Sequence, residues 1–347
     1  MVKYLKASAL LIVFVSTWFH SVGAQDAIYE FKWPSQISKL DPSLPTLIEV
    51  PATESSKFYF PYYLYVPRGV RQKELVRLLV EPNNTGTAVD NFEVHRQAAK
   101  ELASQGNVRL LADKLRTPLL VPVFPRPTTV YTQSLNRPAL LAKDDHLSRI
   151  DLQLLSMIQH ARELLRSLGV LTKPKIFMDG FSASACFVNR FAALHPEVVR
   201  ALTAGGINGL PIFPLEIYQG NKLPYPIGVA DLKELTGAPF DAESYKRVSQ
   251  YVYMGSLDRN DTFPFSDSWD DDERTLIAKL FGREMIPSRW QHSQEIISNL
   301  QLPIQTVTYC CIGHDPGPVL DDVVAFLKAN EGDEPKTIAP HQAAVQR

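Results

Sequence analysis

Between residues 58 and 329, short apolar runs rich in β-branched and aromatic side chains alternate with amphipathic runs at helical spacing. That alternation constrains the fold more than any other feature. Strands alternating with helices imply a parallel sheet whose two faces are both covered. The expected architecture is therefore α/β, a mostly parallel central sheet with helices on both faces. Strands are predicted over 58–66, 75–81, 119–124, around Ile176, and over 199–204, 248–254 and 302–309. Helices are predicted over 93–104, 147–168, 185–194, 271–281, 289–300 and 320–329. In the long run, Ile150, Leu154, Met157, Ala161 and Leu164 share one face, and Gly169 stands where a helix commonly ends in glycine. The interval 207–245 is rich in Pro, Gly and aromatic residues and lacks clean periodicity. It reads as a loop excursion over the sheet edge, not as a separate domain. The acidic run Asp270-Asp-Asp-Glu273 reads as a helix start, where carboxylates meet the positive end of the dipole, and not as a metal site.

The first residues stand apart from this pattern. Lys3 and Lys6 precede an uncharged apolar run, Ala7 to Phe19, and the small-residue stretch Val22-Gly-Ala24 follows. A basic start, an apolar middle and a cleavage-like end predict a secretory signal peptide over 1–24. The expected mature domain is 25–330, followed by a flexible polar tail over 331–347. A formal net charge of -1, with no basic block, argues against nucleic acid as a partner. No later stretch is apolar and long enough to span a bilayer. Export places the three cysteines, Cys186, Cys310 and Cys311, where a disulfide can form. On a strand, Cys310 and Cys311 would point to opposite faces, so only one of them could reach Cys186.

The chemistry is signalled by Lys175-Ile-Phe-Met-Asp-Gly-Phe-Ser-Ala-Ser-Ala185. A strand-like run ends here in a turn that carries Ser182 between the small residues Gly180 and Ser184, and a helical run follows. This is the layout of a nucleophile elbow. A serine hydroxyl is a poor nucleophile unless a histidine takes its proton and an acid orients that histidine. In open α/β sheets such groups collect at the carboxyl ends of strands. After the strand over 248–254 comes Gly255-Ser-Leu-Asp258-Arg-Asn-Asp261, and after the strand over 302–309 comes Cys310-Cys-Ile-Gly-His314-Asp315. The candidate triad is Ser182, Asp258 and His314, with Asp261 as the alternative acid. His292 lies in a helical run and His341 in the tail. Asp315 reads as a solvated loop carboxylate.

With these residues in this order, the chain resembles the α/β-hydrolase superfamily from residue 58 to about residue 328. The resemblance rests on G-F-S-A-S at 180–184, G-S-L-D at 255–258 and G-H at 313–314. The run Tyr63-Leu-Tyr-Val-Pro67 is similar to secreted esterases of the polyhydroxyalkanoate depolymerase and feruloyl esterase type. Ser184 stands where the family usually has glycine, and the family's H-G-G segment is absent. In its place is Val80-Glu-Pro-Asn-Asn-Thr-Gly86. The resemblance implies an oxyanion hole made by the backbone N–H of Ala183 and one from this loop. Pro82 has no N–H, which leaves Asn83 or Asn84.

The resulting expectation is a serine hydrolase that cleaves carboxylic esters through an acyl-enzyme, with no cofactor and no metal. Its partner is a small or polymeric ester substrate. A serine peptidase on the same scaffold and a non-catalytic binding protein are the alternatives. Asn83-Asn-Thr85 and Asn260-Asp-Thr262 are glycosylation sequons in loops assigned to the site. A glycan there would obstruct it, which favours a bacterial protein, secreted or periplasmic.

Overall fold

The computed structural model describes residues 29–31, 43–53, 55–70, 75–144, 146–265 and 268–338. The predicted signal peptide and His341 lie outside the described residues. Eleven strands are present among them: β1 (Tyr29–Phe31), β2 (Thr46–Val50), β3 (Tyr62–Val66), β4 (Leu79–Val80), β5 (Leu119–Pro122), β6 (Ile176–Phe181), β7 (Val199–Gly205), β8 (Ile217–Tyr218), β9 (Asn221–Lys222), β10 (Ser249–Gly255) and β11 (Ile304–Tyr309). Nine form one sheet in the order β1-β2-β3-β5-β4-β6-β7-β10-β11. From β5 to β11 every neighbouring pair is parallel, whereas β3 runs antiparallel to both β2 and β5. The expected α/β architecture is the one observed.

Period-two alternation sorts the strand residues onto two cores. Ile48, Val80 and Met178 join one cluster, and their chain neighbours Leu47, Leu79 and Phe177 join the other. The first face is covered by the helices Ile150–Ser167 and Ala183–Leu194, through Leu154, Met157, Ala161, Phe187 and Phe191. The second face is covered by Phe92–Ser104, Gly106–Leu115 and Leu320–Ala329, through Ala99, Leu111, Leu115, Val323 and Leu327. Helices on both faces leave the carboxyl ends of the parallel strands as an open rim, where loops can assemble a site.

Several elements differ from the sequence expectation. The strand predicted over 58–66 begins only at Tyr62, because Pro61 precedes it. The run 75–81 contributes two strand residues, with an isolated bridge from Val76 to Thr172. Strand β2 and the helix Gly106–Leu115 were not anticipated. The acidic run opens the helix Asp271–Leu280: the Asp270 side chain accepts the Glu273 N–H, and the Glu273 side chain accepts the Asp270 N–H.

The excursion over 207–245 carries the β8–β9 hairpin and two short helices. Its Leu210, Phe213, Leu223 and Ile227 pack with Trp269, Ile277 and Phe281 in a third apolar cluster. Residues 331–338, read from the sequence as the start of a flexible tail, lie against the body. Arg77 donates to Glu331 O at 3.0 Å, Arg200 donates to Gly332 O at 2.6 Å, and Ile338 N–H donates to Gln305 Oε1 at 3.0 Å. Among the described residues no helix is long and apolar enough to cross a membrane.

Candidate active site

Ser182 sits between the end of β6 and the helix Ala183–Leu194, with φ 64° and ψ −121°. A side chain rarely adopts this backbone state, which costs about 1–3 kcal/mol and persists only where the surroundings enforce it. Three contacts enforce it here. The Ser182 N–H donates to Gly205 O on β7 at 2.8 Å, and the Cys186 N–H donates to Ser182 O at 3.2 Å. The Ser184 hydroxyl accepts the Phe181 N–H at 2.8 Å and donates toward Phe181 O at 2.9 Å. Serine at 184 therefore braces the turn. Gly180 is indispensable, since a Cβ there would stand 2.4 Å from Ser184 O.

The next two candidates come from neighbouring strand ends. Asp258 lies beyond β10, buried, with its Oδ2 2.8 Å from His314 Nδ1. Its Oδ1 accepts the Asn260 N–H at 2.9 Å, which fixes the carboxylate. His314 lies beyond β11. The Phe181 ring sits 4.6 Å from its ring, and a Cβ at Gly206 would stand 2.9 Å from its Cε1. Gly206, at φ 62°, thus gives the imidazole its room. The alternative acid, Asp261, is turned elsewhere. Its Oδ1 pairs with Arg289 Nη2 at 2.5 Å and accepts the Phe263 N–H at 2.9 Å. Asp315 accepts the Gly317 N–H in its own turn.

Asn260 links the imidazole to the serine. Its Nδ2 is 2.9 Å from His314 Nε2 and 3.4 Å from Ser182 Oγ. With the Nδ1 proton given to Asp258, the lone pair on Nε2 faces this amide. In the sequence Asn260 reads only as a sequon residue, and its spacing does not mark it as part of the site.

The loop after β4 lies against the elbow. Asn83 is fully buried, with Nδ2 donating to Phe124 O and Oδ1 accepting the Phe124 N–H, both at 2.9 Å. Asn84 Nδ2 reaches Phe181 O at 3.4 Å. The Glu81 N–H goes to Leu120 O at 3.0 Å and the Thr85 N–H to Gln133 Oε1 at 2.9 Å. Among the described residues the backbone N–H groups of Asn83 and Asn84 have no such partner. Ala183 opens the helix, so its N–H is one of the groups left without an intrahelical acceptor.

Beneath the elbow lies a feature absent from the sequence reading. The Ser184 hydroxyl also reaches Glu81 Oε1 at 3.3 Å, and Thr203 donates to Asp179. Burial, then the neighbouring Asp179 carboxylate, pushes the Glu81 carboxyl well above its usual range. Burial pushes Asp179 up to about 6. This acid pair joins the ends of β4 and β6, and hence the Asn83–Asn84 loop and the nucleophile turn.

A narrow cavity of ≈ 20 Å³ opens beside Ser182, lined by Tyr131, Ser134, Ala183, Cys186, Arg190 and Trp269 among others. Trp290 is buried, with its indole N–H given to Thr308. Cys186 is a buried free thiol, so the anticipated bridge to Cys310 or Cys311 is not made. The β11 strand ends at Tyr309, and the two cysteines fall in a turn instead of alternating on a strand. Among the described residues no group of His, Cys, Asp or Glu side chains is placed to hold a metal ion.

No protein-family model matches the sequence, and no curated protein matches it. Solved structures do resemble the fold. Poly(aspartic acid) hydrolase-1 from Sphingomonas sp. KT-1 superposes with a TM-score of 0.53 at 16% identity, covering 80% of this chain and 96% of that one. LpqC, a poly(3-hydroxybutyrate) depolymerase from Bordetella parapertussis, gives 0.51 at 17%, covering 80% and 88%. At such identities the likeness concerns architecture. Strand order, parallel core and the strand–turn–helix at Ser182 together give this chain the α/β-hydrolase fold.

Proposed function

We propose that the protein is a serine hydrolase acting on carboxylic esters with short acyl groups. The observation that carries this reading is the strained Ser182 at the head of a helix, one amide away from an imidazole already paired to a buried carboxylate. In the reaction His314 Nε2 takes the Ser182 proton as Oγ attacks the ester carbonyl. Asp258 holds the Nδ1 proton and stabilises the imidazolium that forms. The Ala183 N–H and an N–H from Asn83 or Asn84 receive the oxyanion. His314 then protonates the leaving alcohol, and water cleaves the acyl-enzyme. The narrow cavity beside Ser182, walled by Ala183, Arg190 and Trp269, is where a short acyl group would sit. The basic and apolar pattern over residues 1–24 supports export of this hydrolase. One neighbour acts, by its name, on the polyester poly(3-hydroxybutyrate), which supports a polymeric ester as one form of substrate.

The test compares p-nitrophenyl acetate and p-nitrophenyl dodecanoate. The proposal expects turnover of the acetate, little of the dodecanoate, and a loss of about 10⁶-fold in kcat for Ser182→Ala with the circular dichroism spectrum unchanged. Undiminished turnover in Ser182→Ala would refute it.

A further inference from the structure

We propose that Cys310 and Cys311 form a reversible redox pair, which closes into a disulfide between adjacent residues when exposed to a small disulfide such as oxidised glutathione. Their Sγ atoms lie 2.7 Å apart, inside the normal separation of unbonded sulfurs. Side chains of adjacent strand residues diverge, but here the strand has ended at Tyr309 and Cys311 has φ 63°. That backbone state brings both thiols to one side of the turn. It is held by the Cys311 N–H donating to Ser256 Oγ at 2.9 Å. Cys311 is exposed, whereas Cys186 is buried beside Ser182 and has no access to either partner.

The chemistry balances with glutathione disulfide as oxidant. The Cys311 thiolate attacks one sulfur of the oxidant, its S–S bond breaks, and one glutathione leaves as thiolate. The Cys310 thiolate then attacks Cys311 Sγ and expels the second glutathione. Two thiol protons are lost, two glutathione thiols are formed, and the cysteines are oxidised. Cys311 is the exposed member of the pair and Cys310 is half-buried, which makes Cys311 the first nucleophile. Adjacent Cα atoms are about 3.8 Å apart across a trans peptide, below the usual span of about 4.4–6.8 Å for bridged cysteines. The ring is therefore strained, and strained bridges are the labile ones.

The turn is tied to the site on both sides. Ser256 N–H donates to Tyr309 O at 2.8 Å and Leu257 N–H donates to Ile312 O at 2.9 Å, so the turn is anchored to the loop carrying Asp258 and leads directly to His314. Ring closure shifts His314 relative to Ser182 and slows turnover, a consequence that rests on the hydrolase reading above.

The full-length protein is incubated with oxidised or reduced glutathione, then analysed by intact mass, by peptide mapping and with p-nitrophenyl acetate. The expected oxidised form is lighter by two hydrogen atoms, with the change confined to the peptide holding both cysteines, in wild type and in Cys186→Ser. It reverts with reduced glutathione. Cys310→Ser and Cys311→Ser do not form it. Oxidation slows turnover by about tenfold in wild type, as expected when a catalytic group is misplaced, and not in Cys310→Ser. A mass unchanged under oxidant, or a bridge mapped to Cys186, overturns the proposal. A bridge that leaves turnover unchanged overturns its coupling to the site. Absence of turnover in both states counts against the hydrolase reading, and the mass result then decides the redox pair by itself.

Discussion

At the scale of single residues, His314 Nε2, the proposed proton acceptor, is held by an amide and not by the serine hydroxyl. Asn260 Nδ2 holds it at 2.9 Å and stands 3.4 Å from Ser182 Oγ, so in the proposed reaction the amide lies between the hydroxyl and the imidazole. Asn260→Ala frees the lone pair. Loss of one competing hydrogen bond of about 1 kcal/mol raises kcat/KM for p-nitrophenyl acetate by about fivefold. A lower rate would mean that the amide assists the reaction instead of restraining it. Ser182, Asp258 and His314 were legible in the sequence because each follows a strand-like run, and the strand ends of a parallel sheet converge. Asn260 was not legible, because its position depends on how one loop folds back over another. The same holds for Asp261, which Arg289 draws away. Glu81 looked like an ordinary strand terminus, and only the register of β4 beside β6 sets it against Asp179. Asn83 is a sequon residue whose side chain is buried and twice bonded, and is thereby closed to a glycan in the folded protein.

Among the elements, the junction of β6 with the helix Ala183–Leu194 combines a left-handed serine with close backbone packing. Gly180→Ala puts a methyl group 2.4 Å from a backbone oxygen that cannot rotate away. The expected cost is about 1–3 kcal/mol in urea unfolding, the range for overpacking, together with loss of the proposed turnover of p-nitrophenyl acetate as the turn shifts. Unchanged stability and activity would show that the turn is looser than its contacts imply. The long helix Ile150–Ser167 was readable from its apolar stripe and terminal glycine. The helix Gly106–Leu115 was not, since a single extended residue, Gln105, separates it from the preceding helix and Gly106 reads as a turn. Strand β2 escaped notice because its five residues follow a stretch with no periodic neighbour.

For the whole molecule, the Glu81–Asp179 pair ties stability to pH. Asp179 binds its proton more tightly in the fold than in the unfolded chain, its value rising from 3.8 to about 6. Its stabilisation is therefore complete below 3.8 and is lost as pH rises through about 6. Glu81, also raised, extends the loss to higher pH. The urea midpoint should fall between about pH 4 and about pH 7 from this source, and Asp179→Asn should flatten that slope. An identical slope in both proteins would remove the pair from the account. The mostly parallel sheet with both faces covered follows from alternation in the sequence, whereas the packing of 331–338 onto Arg77, Arg200 and Gln305 does not, because that segment is polar and holds on through hydrogen bonds. What all of this supports is a serine made nucleophilic by residues brought from three strand ends. Labelling of the folded protein with a fluorophosphonate, followed by peptide mass mapping, tests that most directly. The account predicts one adduct, on Ser182, forming far more slowly in His314→Ala; folded protein that stays unlabelled, or that labels at a different serine, would contradict it.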